Sequence, residues 1–337
     1  MHLISPRILV VGAGAVGSVT AAILATKEYD ITLLTKYPDL AKKISEEGLH
    51  CSGACGQITI KINSYASAGE LSGLYDLVFL ATKGNDMPEA ARQILPFIKS
   101  DSRVVSMQNG ICEDELAKIV GKERTVGCVA GWGATLHAPA VSEMTSTGEF
   151  VIGNWGRGRD PDLEVIKDIL SHILPVEISD DIVSHLYSKL IINSCITTLG
   201  AISGQLLGTM LMQHKARNLF IGIIKESMDV AGGMNLTVKP YAGRLDYYKF
   251  LKKGVFSAFR RHLTILVIGY KYRRLKSSSL QSLERGKKTE IDFFNGYVAA
   301  KGTGLGVPTP LNTKLVSMVK EIEAGTRKIS PSNFYEI

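Results

Sequence analysis

The chain has 337 residues, of which 45% are hydrophobic and 21% charged. This composition supports a large core divided between about two domains and excludes an intrinsically disordered chain. No uninterrupted apolar segment reaches the roughly 18 residues that a membrane span needs, and the first residues are too short and too polar for a signal peptide. The sequence therefore predicts a soluble globular protein without a membrane span.

Charge and cysteine content set further limits. Lys and Arg total 39 against 32 Asp and Glu, and the resulting net charge of +7 suits an anionic dinucleotide and substrate, but equally nucleic acid or an anionic membrane. Five cysteines, an odd number, indicate reduced thiols in a cytoplasmic setting. Cys51 and Cys55 have no second Cys or His pair nearby, so we expect no metal site.

The strongest motif lies near the N-terminus. An apolar strand, Ile8–Val11, leads through a glycine-rich turn into an alanine-rich helix over residues 18–25. Such a turn binds a dinucleotide, because its glycines permit the tight turn, the approach of a pyrophosphate and close packing of helix on strand. The alternative is a glycine-rich turn of another α/β protein. The predicted cofactor contacts are Gly12, Ala13, Gly14, Ala15, Val16 and Gly17.

The end of the next predicted strand, over residues 30–35, indicates which dinucleotide is bound. Proteins that bind NAD place an acidic residue about 20 positions past the glycines, where it holds the ribose hydroxyls. Here Thr35 and Lys36 occupy that place, and a cation there suits the 2′-phosphate of NADPH. We therefore predict NADPH. The alternative is that Lys36 is a solvated loop lysine and that Asp39 turns back to the ribose.

Two later strands end in polar residues. Residues 75–83 form a central strand that ends at Lys83, and residues 103–110 form another that ends in Asn109 and a glycine. Because ligands of open parallel sheets bind at the carboxyl ends of strands, we expect Lys83 and Asn109 to face the dinucleotide. Taken singly, each residue is more typical of a loop than of a site.

The remaining pattern predicts two domains. A pair of short strands is expected around residues 49–62, further strands over 127–133 and 149–153, a Pro- and Thr-rich connection over 136–148, and a helix over 162–173. The pattern beyond Asp180 is helical. The sequence thus predicts an α/β Rossmann-type dinucleotide-binding domain over residues 1–180, followed by an all-α C-terminal domain over residues 181–337.

The first helix of the second domain places polar side chains on one face. Lys189, Asn193 and Thr197 are spaced i, i+4 and i+8, with mostly apolar residues between them. Burial of Lys189 would lower the pKa of its ammonium toward the range in which it can give up a proton. The alternative is a lysine whose ammonium reaches the surface from an amphipathic helix.

Later motifs complete a family pattern. They are Ser277-Ser278-Ser279-Leu280-Gln281, Thr289-Glu290-Ile291-Asp292-Phe293-Phe294-Asn295-Gly296 and Gly306-Val307-Pro308-Thr309-Pro310. Together with the glycine turn, Lys83, Gln108-Asn109-Gly110 and Lys189, they resemble the ketopantoate reductase (2-dehydropantoate 2-reductase) family over nearly the whole chain. The resemblance implies reduction of a 2-keto acid by NADPH, with ketopantoate as the default substrate in pantothenate biosynthesis.

The resemblance also implies site residues. Lys189 would donate a proton to the ketone oxygen and Glu290 would orient the substrate and the cofactor ribose, so these two are the implied catalytic residues. The implied cofactor contacts outside the glycine turn are Lys36, Lys83, Asn109 and Glu290, and the implied substrate contacts are Asn109, Lys189, Asn193, Thr197 and Ser278.

Departures from the family pattern at Thr197, Leu207 and Ser282 lie mostly on the substrate side, so a paralogous reductase of another 2-keto acid stays open. Residues 247–276 form a basic, aromatic insert without acidic residues. The insert fits a lid, an anionic-membrane contact, a nucleic-acid contact or an ordinary helical hairpin packed on the domain. A non-catalytic dinucleotide-binding protein that engages a partner through this insert is the competing hypothesis. We expect no nucleic-acid partner, and a homodimer stays open.

Overall fold

Residues 6–156 and 158–337 are described by a computed structural model, and the chain divides into two units, Met1–Leu186 and Tyr187–Ile337. The division falls inside the helix Ile182–Ser203. The expectation about a signal peptide concerns mainly residues 1–5, which lie outside the described residues. In the described part of the chain, no helix is long and apolar enough to cross a membrane.

The first unit contains two sheets. The strands of its described residues are β1 (Ile8–Val11), β2 (Ile31–Leu34), β3 (Leu49–Gly53), β4 (Ile58–Ile60), β5 (Asn63–Tyr65), β6 (Tyr75–Leu80), β7 (Ile98–Ser106), β8 (Thr125–Ala130), β9 (Gly133–Ala138), β10 (Val141–Ser146), β11 (Phe150–Asn154) and β12 (Val176–Ile178). The helices are α1 (Ala15–Ala25), α2 (Pro38–Glu46), α3 (Met87–Ile94), α4 (Glu113–Val120) and α5 (Pro161–Ser171).

The larger sheet has eight strands in the order β12-β11-β8-β7-β6-β1-β2-β5. It is parallel from β8 through β5, and β11 runs antiparallel to β8. Every residue of β1 and β2 is buried, as expected of parallel strands that are covered on both faces. The glycine turn therefore leaves the sheet from a central strand.

The smaller sheet has the order β4-β3-β10-β9 and packs against α1. Strands β9 and β10 form an antiparallel hairpin, so most of residues 136–148, which the sequence predicts to be a Pro- and Thr-rich connection between strands, are strand residues. The hairpin turns at Ala140, which has a φ of 64°, and Ser142 and Met144 alternate as buried residues. This alternation covers few positions, so the sequence signal for a strand in this segment is weak.

The second unit is helical. Its helices are α6 (Ile182–Ser203), α7 (Leu207–Met212), α8 (His214–Gly233), α9 (Tyr247–Leu251), α10 (Ser257–Lys271), α11 (Ser278–Glu284), α12 (Asn295–Leu305) and α13 (Pro310–Glu323). Apart from an isolated bridge between Tyr241 and Leu245, the described residues after 187 contain no extended pairing. The predicted Rossmann-type domain followed by an all-α domain is confirmed.

Candidate active site

The glycine turn of the first unit has the geometry of a dinucleotide-binding loop. Gly12 has a φ of +106°, and a Cβ atom on it would lie 2.9 Å from the backbone of Ala81. A Cβ atom on Gly17 would lie 2.0 Å from the carbonyl oxygen of Gly12. On Gly14, by contrast, it would meet no heavy atom of the described residues within 4 Å. Gly12 and Gly17 are thus required by the fold, while Gly14 leaves the backbone open to a ligand.

Helix α1 offers hydrogen-bond donors at this turn. It begins at Ala15, and its N-cap residue, Gly14, supplies no side-chain hydrogen bond to the first N–H groups of the helix. The first backbone N–H groups of a helix have no partner within the helix, and its dipole favours an anion there. No acidic residue occupies the first turn of α1. These features fit the pyrophosphate of a dinucleotide.

Lys83 and Asn109 follow strands on the same side of β1. Strand β6 pairs with both β1 and β7, so the residues after β6 and β7 lie beside the glycine turn at the carboxyl edge of the sheet. The Gln108 side chain connects the ends of β6 and β7. Its Nε2 donates to the Leu80 carbonyl at 2.9 Å, and its Oε1 accepts from the Ser106 hydroxyl at 2.7 Å. The predicted convergence of strand ends is therefore present.

Lys36 has a partner that the sequence did not indicate. Its Nζ lies 3.0 and 2.9 Å from the two carboxylate oxygens of Asp86, which follows β6. Because β2 and β6 flank β1, this ion pair joins the loops on either side of the glycine turn. The hydrogen bond to Asp86 raises the pKa of Lys36, which stays cationic. Asp86 therefore competes with any anionic ligand of Lys36.

In the second unit, α6 presents the predicted polar face. Lys189 and Asn193 are half-buried, whereas most neighbouring residues of the helix are buried. The Asn193 Nδ2 atom is buried and has no hydrogen-bond partner among the described residues. Thr197 is buried, and its hydroxyl donates to the Asn193 carbonyl at 2.6 Å. A buried amide without a partner is costly, so Asn193 is well suited to bind a polar ligand.

Ser278 is the first residue of α11, whose N-cap residue, Ser277, contacts α6. The hydroxyl of Ser277 accepts from the Leu280 N–H at 3.2 Å, which caps α11, and donates to the Thr197 carbonyl at 3.3 Å. A Cβ atom on Gly200 would lie 2.6 Å from the same hydroxyl oxygen, so the contact requires a glycine on α6. Ser277 thus places the half-buried Ser278 beside the helix that carries Asn193.

Glu290 is buried, with 6% of its surface exposed, and its neighbours hold the segment in place. On its N-terminal side, the Thr289 N–H and hydroxyl both donate to the Glu323 carboxylate, at 2.6 and 2.7 Å. On its C-terminal side, the buried Asn295 accepts from the Thr198 hydroxyl on α6 and donates to Asn312 on α13. Residues 289–295 therefore combine one candidate functional residue, Glu290, with two structural anchors, Thr289 and Asn295.

Glu113, the first residue of α4, is a buried acid that sequence reasoning missed. It lies four residues after Asn109 and is fully buried. Its Oε2 accepts from the Cys112 N–H at 3.0 Å, and burial raises its pKa to about 7. The only sequence signal was its place at a helix N-terminus, where an acidic residue is ordinary.

Among the described residues, no cluster of three or more His, Cys, Asp or Glu side chains could hold a metal ion. The five cysteines, all of which lie in the described part of the chain, are free thiols.

Comparisons with known proteins match both units. One family model, described as ketopantoate reductase PanE/ApbA, matches residues 8–157, and a second, described as its C-terminal domain, matches residues 181–323. A 2-dehydropantoate 2-reductase of Pyrococcus horikoshii is 28% identical over 320 residues, which cover 94% of this chain and 98% of that protein.

Solved structures share the fold. A PanE/ApbA family ketopantoate reductase from Ralstonia eutropha is 25% identical with a TM-score of 0.81, covering 97% of this chain and 100% of that one. A D-mandelate dehydrogenase, solved with NADH and anilino(oxo)acetate, is 24% identical with a TM-score of 0.83, covering 97% of this chain and 99% of that one. The similarity to the latter concerns the fold alone.

Proposed function

The chain belongs to the ketopantoate reductase family of oxidoreductases, and we propose that it reduces a 2-keto acid to a 2-hydroxy acid with NADPH, with 2-dehydropantoate as the substrate. The observation that carries this proposal is the buried, unpartnered Nδ2 of Asn193, one helical turn after Lys189 on the same half-buried face. A keto acid brings the oxygen acceptors that this amide lacks.

In the proposed reaction, the first unit holds the cofactor through its glycine turn, Lys83 and Asn109. The reduced nicotinamide, when bound, supplies the hydride to the carbonyl carbon. Lys189 then has two tasks: its ammonium stabilises the negative charge that develops on the ketone oxygen, and Nζ donates a proton to that oxygen. Asn193 and Ser278 hold the keto acid, and Glu290 orients it.

The choice of NADPH rests on Lys36, whose ammonium would bind the 2′-phosphate. The ion pair with Asp86 tempers this preference, because the carboxylate both occupies the cation and repels a phosphate. We therefore propose a preference for NADPH that is smaller than Lys36 alone would provide.

A second candidate substrate is a 2-keto acid with a larger apolar side chain. Leu207 stands where the family commonly has Asn, and it is buried with 2% of its surface exposed. Its backbone N–H donates to the Leu275 carbonyl at 3.0 Å, so the side chain is held on a fixed backbone. The D-mandelate dehydrogenase of the same fold was solved with anilino(oxo)acetate, which carries an aromatic ring and supports including aromatic 2-keto acids in a test.

The test is NADPH oxidation by the purified protein with 2-dehydropantoate, beside aliphatic and aromatic 2-keto acids. Saturable turnover of 2-dehydropantoate supports the proposal, and turnover of a bulkier keto acid alone moves the substrate to the second candidate. Absence of turnover with every keto acid, although NADPH binds, overturns the reductase proposal and favours the non-catalytic hypothesis.

A further inference from the structure

The basic insert, residues 247–276, carries an apolar stripe that faces solvent. It starts at Phe256, the N-cap residue of helix α10, and continues along the helix. The stripe consists of large hydrophobic side chains whose exposed fractions range from 48% to 77%: Phe256, Phe259, Leu263, Val267 and Tyr270. Exposed apolar residues are normal when they are scattered singly, but a contiguous row marks an interaction surface. The interpretation of the insert as a helical hairpin packed on the domain explains its buried apolar residues but not this exposed row.

Helical geometry shows that the stripe is separate from the face that packs. At 3.6 residues per turn, the five side chains fall within an arc of about 80°. Ile265 and Gly269 point away from that arc and are buried. A Cβ atom on Gly269 would lie 3.0 Å from the Leu211 Cβ, so α10 packs closely on α7 there. Helix α10 therefore has two apolar sides, of which only the one with Ile265 and Gly269 packs on the rest of the unit.

The insert also concentrates positive charge. Residues 247–276 contain nine Lys and Arg residues and no acidic residue. Arg260 and Arg261 brace the insert, donating to the carbonyls of Lys252 at 2.8 Å and Leu251 at 2.7 Å. Lys249 and Lys276 form ion pairs with Asp246 and Glu284, which flank the insert. In the described part of the chain, no acidic side chain forms an ion pair with Lys252, Lys253 or Arg274. Unneutralised cations therefore lie before and after the apolar stripe.

We propose that α10 docks on a bilayer surface rich in anionic lipid, with the stripe inserted at the interface and the cations of the insert on the headgroups. A solvent-facing row of Phe, Leu, Val and Tyr beside unneutralised Lys and Arg is the composition of interfacial helices. Pairing of this face with a second copy would use the same surface twice and bring together two inserts whose Lys252, Lys253 and Arg274 have no acidic partner among the described residues. Leu263 and Val267 offer nothing on which nucleic-acid bases stack. The proposal is independent of the proposed reaction.

Vesicle flotation of the full chain tests this surface. Vesicles of phosphatidylcholine with about 30% phosphatidylglycerol should retain the protein, and pure phosphatidylcholine vesicles should not. Replacement of Lys252, Lys253 and Arg274 by Gln should weaken partitioning about 100-fold, since each cation near an anionic surface contributes roughly 5-fold. The matched control replaces the exposed Lys27, Lys61 and Lys118 by Gln, which makes the same change in net charge on the first unit and should leave most of the binding.

The apolar stripe is tested separately. Phe256→Ser with Phe259→Ser should weaken partitioning by at least about 10-fold at unchanged charge, and the single variant Leu263→Gln replaces it if the double variant is misfolded by circular dichroism. Equal loss in the matched charge control overturns the proposal, as does absence of binding to anionic vesicles. A wild-type dimer that the stripe variants convert to monomer in sedimentation velocity assigns the face to a second copy instead. Loss of keto-acid turnover without vesicles in these variants assigns the insert to a lid.

Discussion

Replacing Asp86 by Asn should increase the preference of the protein for NADPH over NADH. Asp86 places both carboxylate oxygens within 3.0 Å of the Lys36 ammonium, at the edge of the sheet where the dinucleotide is proposed to bind. A 2′-phosphate must share or displace that carboxylate, whereas NADH carries no such group. An amide of the same shape removes the negative charge and leaves Lys36 available.

The magnitude follows from two contributions. The Lys36 and Asp86 side chains are 60% and 47% exposed, so the ion pair itself contributes about 0–1 kcal/mol. Repulsion between a carboxylate and a phosphate of about two charges some 6 Å apart adds about 1 kcal/mol in a water-like dielectric. Together these terms predict that Asp86→Asn tightens NADPH binding by about 5- to 30-fold and leaves NADH unchanged or slightly weaker.

The assay is the dissociation constant of each dinucleotide, measured by isothermal titration calorimetry at low and at physiological salt. The matched control is Asp39→Asn, which makes the same charge change on an exposed residue three positions after Lys36. It also tests whether Asp39 holds the ribose, since NADH binding would then weaken. If Asp86→Asn changes both dinucleotides equally, or if Asp39→Asn matches its effect on NADPH, the competition at Lys36 is refuted.

Three further predictions concern residues that support the candidate site, Glu113, Gly17 and Thr289. Glu113→Gln should remove a pH dependence of stability. Burial raises the pKa of Glu113 to about 7 in the native state, against about 4.5 in the unfolded state. Between these values the native state keeps a proton that the unfolded state releases, so the free energy of unfolding falls as pH rises. Urea unfolding should show a loss of about 3 kcal/mol between pH 4.5 and 7 from this group, absent in the variant; an unchanged profile would contradict the buried acid. Gly17→Ala should destabilise the first unit by at least about 2 kcal/mol, because its Cβ would lie 2.0 Å from the Gly12 carbonyl oxygen. A variant with the same thermal stability as the wild type would show that the turn can relax without cost. Thr289→Val should raise the KM for the keto acid while NADPH affinity stays within about 2-fold, because loss of the Thr289 hydroxyl loosens the segment that carries Glu290. Unchanged kinetics would show that Thr289 does not position Glu290.

Local signals account for what the sequence predicted well. The glycine turn between strand and helix is a short motif with a fixed backbone requirement, and the φ of Gly12 and the crowding at Gly17 match it. The polar face of α6 follows from a spacing of four residues along one helix, which places Lys189 and Asn193 together without any tertiary knowledge. The fold class follows from the same kind of periodicity.

Long-range pairings account for what the sequence did not predict. Lys36 and Asp86 are 50 residues apart, and Thr198 and Asn295 are 97 apart, so no local pattern joins them. Lys36 therefore looked like an unopposed cation, and the anchors around Glu290 looked like parts of one motif rather than contacts with α6 and α13. The exposure of the stripe on α10 was equally hidden, because its spacing alone fits a buried face as well as an exposed one.

The most direct test of the account is single-turnover NADPH oxidation, with enzyme in excess over the 2-keto acid that the protein turns over best, in the wild type and in Lys189→Ala. If Lys189 is the acid, the hydride-transfer rate should fall by about 100- to 10,000-fold, while NADPH binding remains intact. A Lys189→Ala protein that transfers hydride at a near wild-type rate would contradict the proposed mechanism.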